Sequence, residues 1–205
     1  TSYGKKEGDN QIVADRDWLT STSMQATGFL KSTAKDMLKY AGLFMNGGLV
    51  NGKQVLSEES VNEMIKPQMK VHLGLYYGYG FEIISDYFGY TYIGHGGSLR
   101  SVSSRFGFIP EKGLAGVVLA NLIGFPASKL LKSAFNEYLG LDIHATHLNY
   151  EEYRVEPEIL ASYEGKYKSG EGADITLKIE DGKLKFIGRD GEYPTKFISK
   201  TSFIT

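Results

Sequence analysis

The chain has 205 residues and a formal net charge of -1, with 41% hydrophobic and 13% aromatic side chains, enough apolar surface for one large core or two small ones. The balanced charge, with no dense Lys/Arg block, excludes a field that recruits nucleic acid or an anionic membrane. The absence of cysteine excludes disulfides, a thiol nucleophile and cysteine metal sites, and no run reaches the roughly 18 apolar residues of a helical membrane span.

Residues 1–22 are polar and punctuated by glycine, with Ile12-Val13-Ala14 as the short apolar run, and read as a loop. A chain that starts at Thr1 rather than Met is expected to be a cut or processed product, so its compartment is left open. From Gly28 the pattern sharpens. Ser32 is placed to cap a helix in which Met37, Leu38, Tyr40, Ala41, Phe44 and Met45 recur at helical spacing, and Asn46-Gly47-Gly48 stops it. Asn51-Gly52 marks a small hairpin, and Ser57 caps a second helix with Glu58 and Glu59 in its first turn and Pro67 at its end.

A series of β runs follows, over 80–84, 90–93, 102–109 and 114–121. The last of these is nearly all apolar, which predicts a central strand covered on both faces. Pro126 opens a third helix, with Leu130, Leu131, Ala134, Phe135 and Tyr138 as its apolar face and Gly140 as its stop. Helices before and after a mainly antiparallel meander predict an α+β fold, an antiparallel sheet flanked by helices. Beyond a polar connector the chain turns to short alternating runs with a hairpin signal at Asp181-Gly182, which predicts a smaller, all-β segment with too few strands to close a barrel.

The stretch from Tyr92 to Phe108 carries the strongest functional signal. His95 stands between Gly94 and Gly96-Gly97, after one strand-like run and before another, and glycine without Cβ lets a ligand or backbone approach a strand edge. The plainer reading is a satisfied turn histidine beside a bulge. Other patterns compete. Ser32-Thr33-Ala34-Lys35 is literally Ser-x-x-Lys and Ser60-Val61-Asn62 is Ser-x-Asn, but too few residues separate them from each other and from His95 to hold a helical subdomain. Ser2-Tyr3-Gly4-Lys5 also matches, although Gly4 and Gly8 oppose a helix there. Gly96-Gly97-Ser98-Leu99-Arg100 fails as a nucleophile elbow because Arg100 stands where glycine is needed. His144 and His147, with Asp142 nearby, are a metal pair if helical and two solvated linker histidines if not. The aromatic run Tyr76, Tyr77, Tyr79, Phe81, Tyr87, Phe88, Tyr90 and Tyr92 is either a cleft wall or strand packing.

The order of elements, with Gly28-Phe29-Leu30-Lys31-Ser32-Thr33-Ala34-Lys35-Asp36-Met37, Tyr79-Gly80-Phe81 and His95-Gly96-Gly97, resembles the C-terminal part of the serine β-lactamase-like family. That family includes penicillin-binding proteins, class C enzymes and the CubicO-group esterases and peptidases. Tyr163-Glu164-Gly165-Lys166-Tyr167 resembles the start of the lipocalin-like β domain appended to some members. The resemblance implies residues 1–147 as the C-terminal part of the catalytic domain, 148–159 as a linker and 160–205 as the start of the β domain.

It also implies acyl transfer on a small peptide, amide or ester substrate, without metal or organic cofactor. His95 corresponds to the third active-site motif and lines the cleft as a hydrogen-bond donor or positive charge. The backbone N–H of Ser98 faces the oxyanion, and Gly96 and Gly97 keep the edge open to substrate. The nucleophile and the second motif are expected on a missing N-terminal part of the same domain, so no turnover is expected from the isolated chain. A homo-oligomer is compatible with a strand-like end at Thr205. The alternative is a non-catalytic module that binds small ligands or organises an assembly, with the β tail as its working part.

Overall fold

The computed structural model describes residues 2–5, 12–15, 22–72, 74–99, 101–148, 151–170, 174–188 and 191–205. The chain divides into two compact units, Thr1–Leu148 and Asn149–Thr205.

In the first unit, α1 (Ala34–Met45) is followed by a hairpin of β3 (Leu49–Val50) and β4 (Lys53–Gln54), then α2 (Glu58–Met64). Asn51 and Gly52 both take positive φ, 51° and 77°, the two left-handed residues that a tight hairpin of this kind requires. The cap of α1 is Thr33, not Ser32: the Asp36 N–H donates to the Thr33 hydroxyl at 3.2 Å. The signal Ser-Thr offers two capping hydroxyls in succession, and only the second lies three residues before an acidic N3 residue. Ser57 caps α2 as expected, accepting from the Ser60 N–H at 3.1 Å.

The sheet is antiparallel and six-stranded: β5 (Met69–His72), β6 (Leu75–Tyr77), β7 (Glu82–Tyr87), β8 (Tyr90–Leu99), β9 (Val102–Ile109) and β10 (Leu114–Ala120), in the spatial order β10-β9-β8-β7-β6-β5. On one face, Ala41 and Phe44 of α1 pack with Phe81, Ile83, Ile93, Phe106 and Phe108. On the other, Leu131 and Phe135 of α3 (Ala127–Tyr138) pack with Ile84, Tyr87, Tyr92 and Ile109. The strand expected to be central, β10, is covered on both faces but lies at the end of this sheet. Ala115 and Val117 turn toward the α1 core and Leu114 and Val118 toward α3, so its continuous apolar pattern reports two covered faces and says nothing of its edges. A Cβ on Gly116 would lie 2.4 Å from Leu131 Cδ1, so glycine is what allows α3 to close on β10.

The leading residues expected as loop contain two strands, β1 (Ser2–Lys5) and β2 (Ile12–Asp15), paired antiparallel. The Tyr3 N–H donates to the Asn121 carbonyl at 2.8 Å, which ties them to the end of β10. Such local pairing leaves little trace in a sequence so rich in polar and glycine residues.

The second unit holds α4 (Pro157–Ala161), a four-stranded antiparallel sheet of β11 (Gly165–Lys168), β12 (Asp174–Glu180), β13 (Lys183–Gly188) and β14 (Gly191–Pro194), and a separate pair, β15 (Lys196–Ser199) and β16 (Ser202–Ile204). Its core is Leu160, Leu177, Leu184 and Phe197, with Tyr163 and Phe203 packed against them. The hairpin expected at Asp181-Gly182 joins β12 to β13. No closed barrel forms among the described residues.

Candidate functional site

His95 lies inside strand β8 rather than between two strands. The strand has two halves. From Tyr90 to Gly94 it pairs with β7 on one side, and toward Gly94 with β9 on the other, whereas from His95 to Leu99 it pairs with β9 alone, because β7 starts at Glu82, opposite Gly94. The turn between β7 and β8 has Phe88 and Gly89 at φ 54° and 84°, a two-residue hairpin closed by Tyr87 and Tyr90, the type of turn whose closing pair is hydrogen-bonded, and a register shift lies between Ile84 and Tyr87. Alternation along β8 then aims the N–H groups of Tyr92 and Gly94 at β7 and those of Gly96 and Ser98, beyond the end of β7, at an open edge. Thr91 obeys the same alternation: its N–H points the other way and donates to Glu111 Oε1 at 3.0 Å.

This edge borders an open cleft of about 880 Å³. Phe106 and Val117 of the sheet, Met37 and Tyr40 of α1 and residues 27–32 complete its walls. The walls are mostly apolar. The polar groups of β8, the His95 imidazole included, stand along one side.

The imidazole is held at both nitrogens. Nδ1 lies 2.6 Å from the Gly96 carbonyl oxygen and Nε2 lies 2.7 Å from the Tyr77 hydroxyl, with the two rings edge-to-face. Behind β8, on the α3 face, Arg105 of β9 bridges to Glu82 at 2.7 Å and donates through Nε to the Tyr92 hydroxyl at 3.1 Å. Burial opposes charge on Arg105, but Tyr92 and Glu82 more than offset it and raise its pKa. Burial also raises the pKa of Tyr92. A Cβ on Gly96 would sit 3.2 Å from Arg105 Nη1, so a side chain there would require the guanidinium to shift by a few tenths of an ångström. Two backbone N–H groups at an open edge thus stand beside an imidazole held at both nitrogens, along a mostly apolar cleft.

The residues of the competing patterns sit on different elements. Ser32 lies on the cleft wall ahead of the α1 cap, and both it and Lys35 are exposed. Ser60 is tied into the α2 cap, where its hydroxyl accepts from the Ser57 hydroxyl at 2.8 Å. Ser2 and Lys5 are in a β-strand, not a helix. Arg100 lies outside the described residues. His144 and His147 are not two solvated histidines: His147 is half-buried against the Tyr87 ring at 5.4 Å. Burial, with the Lys132 charge nearby, pushes its pKa down to about 4. No cluster of three metal-binding side chains occurs among the described residues.

Within the aromatic run, Tyr87 and Tyr92 are core residues, whereas Tyr77 reaches the site. The sequence flagged the run as a whole and could not single out Tyr77, because the contact spans 18 positions and depends on where β6 ends.

The sequence pattern of the β-lactamase family matches residues 1–134, and the chain belongs to that family, which places it in the serine hydrolase superfamily. Among solved structures it is similar to the octameric penicillin-binding protein homologue from Pyrococcus abyssi, with 25% identity and a TM-score of 0.50 over 79% of this chain and 36% of that one. It is also similar to SurE, with 21% identity and a TM-score of 0.62 over 98% of this chain and 46% of that one. For SurE with D-Leu the values are 19% and 0.52, over 83% of this chain and 41% of that one. The chain thus spans less than half the length of each of these structures. No curated protein matches it.

Proposed function

We propose that these residues form the substrate-edge side of a serine hydrolase that cleaves a peptide, amide or ester bond through an acyl-enzyme. The nucleophilic serine and its proton relay are carried on chain outside the 205 residues. The observation that carries this reading is the open half of β8, where Gly96 and Ser98 turn their N–H groups into the cleft beside His95. In such a reaction the serine oxygen bonds to the carbonyl carbon, the carbonyl oxygen takes up the negative charge, and the serine proton passes by way of the relay to the leaving group. Ser98 N–H, with Gly96 and Gly97 leaving the approach clear, would hold that oxygen, and His95 would flank the relay. The β strands from residue 160 onward would be the start of a lipocalin-like appendage.

The test is intact-mass spectrometry after exposure to a fluorophosphonate or a β-lactam, on the longest natural protein that contains this sequence and on the 205 residues alone. The expected result is one adduct on the longer protein, at a serine outside these residues, and none on the short chain. An adduct at Ser32 would make the compact Ser32-Lys35 pattern the real nucleophile and overturn the proposal.

A further inference from the structure

The hydrogen bonds around His95 determine more than its position. A carbonyl oxygen only accepts, so the 2.6 Å contact with the Gly96 carbonyl requires the proton of the neutral ring to sit on Nδ1. Nε2 is then the acceptor, and the 2.7 Å contact with Tyr77 requires the phenol to donate. Tyr77 reaches the histidine because β6 ends at that residue and β7 begins only at Glu82, with Gly80 at φ 83° in the turn between them. The edge-to-face packing of the rings, 84° at 5.8 Å, fixes the imidazole plane as well.

We propose that Tyr77 is a positioning residue that locks His95 in the Nδ1–H tautomer, which presupposes the role of β8 proposed above. The lone pair of Nε2 is committed to Tyr77, so neutral His95 is not the base that receives the serine proton. Its task is to hold the Gly96 carbonyl, and with it the peptide plane between Gly96 and Gly97, one residue before Ser98. Tyr77 thereby acts on the oxyanion side of the site without touching substrate.

The experiment is a long-range proton–nitrogen NMR correlation of the 205-residue chain, which reports the tautomer of each histidine directly. His95 of the unsubstituted chain is expected as Nδ1–H, a result that needs no variant. Tyr77→Phe keeps the ring and removes the hydroxyl, and the Nδ1–H to Nε2–H ratio is expected to fall about fivefold, the worth of one ordinary hydrogen bond. An Nε2–H ring in the unsubstituted chain, or an unchanged ratio in a folded Tyr77→Phe variant, overturns the proposal. In the longer protein, Tyr77→Phe is expected to slow acylation with little change in substrate affinity. If the tautomer shifts as expected while His95→Ala leaves acylation untouched, the tautomer lock stands and the function proposed for β8 falls.

Discussion

The two halves of β8 share one backbone and have opposite surroundings. Tyr92, Ile93 and Gly94 are buried between two neighbouring strands and two helical layers, and Tyr92 is wholly excluded from solvent. His95, Gly97 and Ser98 are exposed, with one neighbouring strand. The first half spends its hydrogen bonds on the sheet, and the second keeps every other N–H for something else. Substitutions in the first half should therefore cost stability, and substitutions in the second half should leave it nearly unchanged.

The largest expected effect is Tyr92→Ala, which empties a fully buried aromatic site and strips Arg105 of a partner. We expect a loss of about 4 kcal/mol in denaturant unfolding. A loss below about 1 kcal/mol would mean that this half of the strand is not the packed one. Next comes Glu82→Gln, which leaves the buried Arg105 guanidinium without its carboxylate and should cost about 2 kcal/mol. Glu82→Gln combined with Arg105→Met should cost less than the sum of the single changes, as a double-mutant cycle would read.

A smaller effect is expected from His147. Its folded pKa, about 4, lies below the ordinary value of 6.5, so between these two the unfolded chain binds more protons than the folded one. Stability is therefore unaffected above about pH 6.5 and declines as pH falls toward about 4. The ring is only half-buried, and solvent screening reduces the loss to about 1 kcal/mol. Unfolding at pH 7 and pH 4.5 should show this decline, and His147→Gln should remove it. The smallest stability effect is expected from His95→Ala, within about 0.5 kcal/mol, since the side chain is exposed. A much larger loss would make His95 a structural residue.

The same contrast explains what was legible in the sequence. Burial writes itself into composition: the apolar stripe of α1, the aromatic and β-branched runs of the sheet and the turn pairs Asn51-Gly52 and Asp181-Gly182 were all readable. Edges do not. Nothing in Leu114–Ala120 distinguishes an end strand from a middle one, because side chains alternate across faces while pairing depends on backbone alone. His95 and its glycines stood out because three glycines around one histidine are costly in a strand unless something must come close. Tyr77 did not, since its role depends on where two neighbouring strands stop. Ser32 and Thr33 illustrate the limit at finest grain, as both can cap a helix and only the geometry of Asp36 decides between them.

The most direct test of the open edge is residue-resolved amide hydrogen exchange along β8. Tyr92 and Gly94 should be protected by β7, His95 and Gly97 by β9, and Gly96 and Ser98 should exchange at least tenfold faster than these neighbours. That two-residue alternation, confined to the second half of the strand, is the predicted result. Gly96 and Ser98 exchanging as slowly as Gly94 would mean that another backbone already covers the edge, and the substrate site proposed for it would be contradicted.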